Sequence, residues 1–327
     1  MDELVIEARS LRKVYRIWHR RERIEALRGI DLTVRRGEVF GFLGLNGAGK
    51  TTTVKLLLGL LRPDGGHIRL FGNPPGRPKT NRLIGYMPER SLLPSYLRLD
   101  EMLELFGGLS GLSRHDLRTA VNQALETVNL ASVRRRTLDT FSKGMLQRAS
   151  LAQALIADPQ LLILDEPAIG LDPLGRKELR ELIHRLHQAG KTLFINSHEL
   201  EVVEQVCNRF AILHKGQILA EQPMTALLDD RYYIIALAKP ADDPTALLTG
   251  LPQTARYQPE PPILTIECRT VADLNDAIDA LRQRGALIST VNPVTMTLED
   301  LFIRFIKDGA GEGQLRSQAM AAPATVH

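Results

Sequence analysis

Apolar positions in this 327-residue chain recur in two alternating periods. Near the N-terminus, "LVIEARSLRKVY" and "IDLTVRRGEVFGFLG" read as strands, the second divided by a tight turn at Gly37. Val39, Phe40, Phe42 and Leu43 make a buried-strand run into a glycine-rich loop, and Val54, Leu57, Leu58 and Leu61 then share one helix face until "RPDGG" breaks it. From Asp100 to about Arg136 the pattern is helical and polar. Beyond Ser142, Met145, Ala149, Ala152 and Ile156 line another helix, stopped by Asp158-Pro159. "LLILDE", "LGRKELRELIHRLHQAG", "TLFINS" and "HELEVVEQVC" then alternate strand, helix, strand, helix. The order predicts an α/β fold: a mostly parallel sheet, N-terminal antiparallel strands and an inserted helical lobe at about 90–160. Past Arg231, "YYIIALA", "ILTIEC" and "ALISTV" read as strands, with "TVADLNDAIDALRQRG" and "TLEDLFIRFIKD" as helices. We expect a main body at 1–228, a small α+β appendage at 229–308 and a disordered tail at 309–327.

Composition narrows the class without naming it. Hydrophobic residues at 44% and charged residues at 24% are ordinary for a soluble globular chain. Cys207 and Cys268 lack metal-type spacing, which argues against a disulfide framework and fits a reducing compartment. The start "MDELVIEARS" has no signal pattern, and no apolar run is long enough to span a bilayer, so any membrane role requires a partner. A formal charge of +4 does not imply a polyanion ligand. Basic residues do cluster at Arg12 to Arg28 and at Arg134, Arg135 and Arg136, as solvated surface or as a contact for lipid headgroups or an acidic partner loop.

Candidate chemistry starts with "GLNGAGKT", a G-x-x-x-x-G-K-[ST] loop between strand and helix. Gly44, Leu45, Asn46, Gly47, Ala48 and Gly49 would turn backbone N–H groups around the β- and γ-phosphates at the positive end of the next helix. Lys50 adds a charge, Thr51 a hydroxyl for Mg²⁺, and Thr52 is a further cofactor-binding candidate. "LLILDEP" ends a core strand in adjacent acids, Asp165 suited to the metal and Glu166 to the attacking water. His198 follows "TLFINS" at the same sheet edge, within reach of the γ-phosphate. "TFSKGMLQR" supplies a second phosphate-type turn at Ser142, Lys143 and Gly144.

The order of the P-loop, "IGYMPER", "FSKGMLQR", "LLILDEP", "GLDP" and "NSHEL" resembles the ATP-binding subunit of ABC (ATP-binding cassette) transporters, over roughly Leu4 to Ala220. The resemblance implies the ABC cassette form of the P-loop NTPase fold, ATP and Mg²⁺ as ligands, and ATP hydrolysis coupled to transport. It implies that Tyr15 stacks on adenine, with Trp18 a substitute, and that Glu89 stands at the position where most relatives have Gln, beside the metal and the lytic water. It implies a head-to-tail homodimer, or a pair with a related cassette. In that pair Ser142 and Gly144 of one subunit cap the γ-phosphate held by Lys50 of the other, and Asp172 lies at the interface. The "Ser-Lys-Gly-Met" signature, in place of the usual Leu-Ser-Gly-Gly-Gln, resembles the single-cassette, exporter-like branch.

The expected setting is therefore the cytoplasmic face of the membrane, peripherally held by a separate permease, with no nucleic-acid partner. "RSLLPSYLRLDEMLELF" is the candidate docking surface through Leu93, Tyr96 and Leu97, unless these residues simply pack the lobe. A soluble ABC ATPase remodelling ribosome or nucleic acid is the rival, though such chains usually carry two cassettes or long coiled coils. A P-loop kinase or GTPase is disfavoured by the signature turn, His198 and the lack of an N-K-x-D motif.

Overall fold

In the computed structural model, which describes residues 3–17, 22–90, 92–251, 255–268, 270–295 and 297–309, the chain opens with β1 (Leu4–Ile17), β2 (Glu22–Arg35) and β3 (Val39–Gly44). Next come α1 (Lys50–Leu57), β4 (Gly65–Leu70), the short α2 (Pro78–Asn81) and β5 (Ile84–Met87). Helices α3 (Leu99–Leu109), α4 (Arg114–Thr127) and α5 (Lys143–Leu155) follow, and then β6 (Leu161–Asp165), α6 (Pro173–Gln188), β7 (Thr192–Ser197), α7 (Leu200–Val206), β8 (Arg209–His214) and β9 (Gln217–Pro223).

One sheet has the order β5-β6-β7-β3-β8-β9, parallel except for the β8–β9 hairpin. A second, antiparallel sheet places β1 between β2 and β4. Every residue of β3, β6 and β7 is buried, as central parallel strands covered on both faces must be. Phe40, Phe42 and Phe194 share one side of the sheet with Val54, Leu57 and the inner face of the antiparallel sheet, including Val5, Leu11 and Leu32. Phe194 stacks on Phe40 at 5.8 Å and tilts against Phe42 at 5.4 Å, so emptying that position would cost about 3–5 kcal/mol. On the other side, a Cβ added to Gly41 would lie 2.5 Å from Val203 Cγ1 of α7.

Helix α1 stops one turn earlier than its apolar spacing predicts. Gly59 has φ +70°, its N–H bonds Leu56 O at 3.0 Å, and the N–H of Leu60 bonds Lys55 O at 2.9 Å. That pair of bonds closes the helix before "RPDGG" and leaves Leu60 68% exposed. The region predicted to be helical and polar holds α3 and α4. Strands β4, β5, β8 and β9 are additions to the sequence reading.

The chain separates into two compact units, described residues 3–224 with 302–309, and 225–301. The second contains β10 (Leu228–Leu237), α8 (Pro244–Leu248), β11 (Arg256–Pro259), β12 (Pro262–Glu267), α9 (Val271–Gln283) and β13 (Ile288–Thr295); α10 (Leu298–Gly309) follows. Its antiparallel sheet, β11-β12-β10-β13, is a β-α-β-β-α-β arrangement around Ile235, Leu264, Ile266 and Leu281. Residues 310–327 of the expected tail, and Trp18, lie outside the described residues. No helix among the described residues is long and apolar enough to cross a membrane.

Candidate functional site

Four neighbouring parallel strands deliver their C-terminal ends to one edge, and each end carries a candidate residue. β3 runs into the glycine loop at Gly44, β6 ends at Asp165, β7 ends at Ser197, and Glu89 stands two residues past β5. Register makes them neighbours: Leu43 lies beside Ser197, and Asp165 beside Asn196. This is the edge at which open parallel sheets hold ligands.

The loop after β3 is shaped by its neighbours. A Cβ on Gly44 would sit 2.3 Å from the Leu213 carbonyl oxygen of β8, which allows no other residue there. Gly49 has φ +114°, and a Cβ there would meet Ala26 O at 2.5 Å. Ala48 is buried beneath the loop, whereas Leu45, Asn46, Gly47 and Thr51 face outward. Lys50 is 6% exposed; its ammonium donates to Gly44 O at 2.6 Å and lies 3.9 Å from Glu166 Oε1. Burial holds the Lys50 amine below its ordinary range, against the opposing pull of Glu166, Asp165 and Glu89.

The loop opens on a cavity of about 430 Å³ whose lining includes Tyr15, Lys50, Thr51, Glu89, Asp165 and Asn196. Tyr15 reaches it from β1, its hydroxyl 3.4 Å from Thr52 Oγ1. Asp165 is clasped from two sides: Asn196 Nδ2 donates to Oδ1, and the Tyr86 hydroxyl lies 3.5 Å from Oδ2. Burial, together with Glu166 and Glu89, holds the Asp165 carboxyl above the usual carboxylate range despite those donors. Burial and the Asp165 charge push the Tyr86 phenol up to about 12, so it stays a neutral donor.

Glu166 begins the turn out of β6 with φ +51°, a left-handed conformation that typically costs about 1–3 kcal/mol. Its N–H donates to Asn196 O at 2.8 Å, which pins the strained residue to β7. Its Oε2 accepts from the His198 N–H at 3.2 Å and the Ser197 hydroxyl at 3.3 Å. His198 Nδ1 lies 2.8 Å from the same oxygen, so the half-exposed imidazole, expected to reach the γ-phosphate, here meets Glu166.

An oxygen-only set of Thr51, Asp165 and Glu89 suits a hard divalent cation. Three carboxylates act on the single Lys50 ammonium, an excess of negative charge that a divalent cation would balance. No group of three His, Cys, Asp or Glu able to hold a metal forms among the described residues.

The second phosphate-type turn stands elsewhere. Ser142 caps α5, its Oγ accepting from the Met145 N–H at 3.3 Å. Ser142, Lys143, Gly144 and Asp172 line a separate cavity of about 500 Å³ that shares no lining residue with the first. Asp172 accepts from the Gly175 N–H at 2.7 Å as the cap of α6. Arg134 is paired with Asp100 and Asn122, and Arg136 donates to Thr140 O at 2.8 Å, so part of the basic run braces the approach to this turn. The expected site residues thus form two groups within one cassette. Asn196 and Tyr86 join the first group without having been singled out; the signal for Asn196 was an amide directly after the apolar run Leu193, Phe194 and Ile195.

A family model described as "ABC transporter" matches residues 27–169. An uncharacterized ABC transporter ATP-binding protein of Nostoc sp. is 39% identical over 93% of this chain and 90% of its own length. A Nod factor export ATP-binding protein I of Paraburkholderia xenovorans is 36% identical over 84% of this chain and 90% of its own. Among solved structures, a dimeric ATP-binding cassette in a post-hydrolysis state with ADP and Pi superposes with a TM-score of 0.61 at 23% identity, covering 67% of this chain and 98% of that one. The shared fold, the ordered motifs and the long alignments lead to one conclusion: the chain belongs to the ABC transporter ATP-binding family and is an ATPase of that family.

Proposed function

We propose that this chain is the motor subunit of an exporter: two copies, or this chain and a related cassette, close around ATP and drive a separate membrane permease from the cytoplasmic face. The observation that carries the reading is the division of phosphate-binding groups between two unconnected cavities of one cassette. Lys50 and the loop of one subunit hold the triphosphate, and Ser142, Lys143 and Gly144 of the other cap the γ-phosphate, with Asp172 at the contact. Tyr15 stacks on adenine.

Glu166 positions the water for attack, and His198 holds Glu166 and approaches the γ-phosphate. Mg²⁺, held by Thr51 and Asp165 with Glu89 nearby, would neutralise charge on the β- and γ-phosphates. Hydrolysis removes the shared charge and the pair opens.

In the segment expected to meet the permease, Tyr96 is 78% exposed but Leu93 and Leu97 are half-buried, and the exposed apolar neighbour is Leu92 at 92%. That segment is joined to the approach of the signature turn, because Leu138 N donates to Leu97 O and Asp139 N to Ser95 O. A push on one moves the other. Export is supported by the name of the Nod factor relative, and the appendage at 229–308 serves assembly or regulation in this reading.

Light scattering of Glu166→Gln with saturating ATP tests the composite site. A particle of twice the monomer mass, lost when Ser142→Arg is added, is expected; a monomer at saturating ATP refutes it.

A further inference from the structure

Asn196 is out of place by composition. Its neighbours in β7, Leu193, Phe194 and Ile195, are fully buried and apolar, and Asn196 itself is 1% exposed. Its amide is oriented by chemistry, since the Asp165 carboxylate can only accept and must therefore meet Nδ2. Oδ1 is buried and has no hydrogen-bond partner among the described residues, so the bond from Nδ2 to Asp165 is what fixes the side chain.

Asn196 also lines the nucleotide cavity, on the strand edge between Asp165 and the loop after β3. Its backbone carbonyl accepts the N–H of the left-handed Glu166. One residue thus touches both acids, by side chain and by backbone.

We propose that Asn196 is a positioning residue for the metal: its Nδ2 fixes the rotamer of Asp165, and its backbone carbonyl holds Glu166 beside it. Removing the side chain leaves Asp165 free to turn. Outer-shell partners of this type matter to metal affinity by about 10–100-fold. The inference rests on the reading of the cavity as a metal–nucleotide site, so its test keeps nucleotide and metal apart.

Full-length chain and the variants Asn196→Leu and Asn196→Ser are titrated with a fluorescent ADP in EDTA, and the ADP-loaded proteins are then titrated with Mn²⁺ while free Mn²⁺ is followed by electron paramagnetic resonance. The expected result is unchanged ADP affinity without metal, roughly ten-fold weaker Mn²⁺ binding in Asn196→Leu, and partial recovery in Asn196→Ser, whose hydroxyl can still donate toward Asp165. Unchanged Mn²⁺ affinity overturns the proposal. So does an equal loss of ADP affinity in EDTA, which marks a merely structural role. If Asn196→Leu does not fold, Asn196→Ser and Asn196→Thr carry the same comparison. Failure of the unmodified chain to bind ADP would instead defeat the nucleotide-site reading itself.

Discussion

Glu166→Gln separates nucleotide binding from turnover in opposite directions. Glu166 is 7% exposed, with the Lys50 ammonium 3.9 Å from Oε1 and His198 Nδ1 2.8 Å from Oε2. The amide keeps the shape and one acceptor oxygen but carries no charge and accepts no proton. An ion pair at that separation is worth about 4 kcal/mol at an effective dielectric near 20, so wild-type Lys50 is divided between Glu166 and phosphate. In the variant, Lys50 turns wholly to the nucleotide, and repulsion between the carboxylate and the γ-phosphate disappears. If a third of that energy passes to the complex, ATP binds roughly ten-fold tighter. Hydrolysis falls, because loss of a positioned base lowers a rate by about 10²–10⁴-fold. A fluorescent ATP titration reads the first change, and single-turnover hydrolysis under saturating enzyme reads the second. Turnover within three-fold of wild type, or weaker ATP binding, refutes the assignment of Glu166 and its pairing with Lys50.

Asp165→Asn should stabilise the nucleotide-free protein in a pH-dependent way. Burial raises the folded-state pKa of Asp165 above its unfolded value, so the group's stabilising contribution is full in acid and is lost as pH rises through the raised pKa. The variant has no such loss; scanning fluorimetry from pH 4 to 8 should show its Tm advantage growing with pH, and a constant or shrinking gap contradicts this. Gly44→Ala should cost about 1–3 kcal/mol in urea denaturation, because the added methyl meets the Leu213 carbonyl in the sheet; an unchanged midpoint would remove the steric argument. Glu89→Gln, which removes one carboxylate acting on Lys50, should tighten ATP several-fold in metal-free buffer, and equal or weaker binding counts against its place beside the phosphates. The double change Leu92→Ser and Tyr96→Ser should lower recovery of the chain with membranes while leaving basal hydrolysis unchanged; undiminished membrane recovery eliminates this segment as the docking surface.

The P-loop and the strand 161–165 were legible because their chemistry is local: one needs consecutive backbone N–H groups, the other an apolar run ending in acids. The β8–β9 hairpin was not. Phe210, Ala211, Ile212 and Leu213 are a four-residue apolar run that periodicity alone cannot assign, and what makes it a strand is pairing with β3, over a hundred and fifty positions upstream. That pairing also decides Gly44, since the carbonyl that excludes any side chain there comes from β8. The separation of the signature turn from the P-loop was expected from the sequence, and in the fold the two line cavities with no residue in common.

Asn196 is the sharpest case. In the linear chain it is a polar residue one step before the end of a strand, which reads as an ordinary strand terminus. Register converts it into the direct neighbour of Asp165, and backbone strain at Glu166 makes its carbonyl an anchor as well. Asp165 and Asn196 are therefore held by strand pairing, Glu166 by its N–H bond to Asn196 O, and Lys50 by its bond to Gly44 O. Preorganisation of this type is what phosphoryl transfer requires, since positioning and charge stabilisation supply most of its acceleration. In the proposed composite site, the donor on the far side of the γ-phosphate comes from the turn at Ser142 of a second cassette, a turn that lines the other cavity. On that proposal a chain completes its reaction only when paired, so hydrolysis per chain should rise with protein concentration as pairing saturates. A rate per chain independent of concentration, in a protein shown by sedimentation to remain monomeric, would break that link between geometry and mechanism.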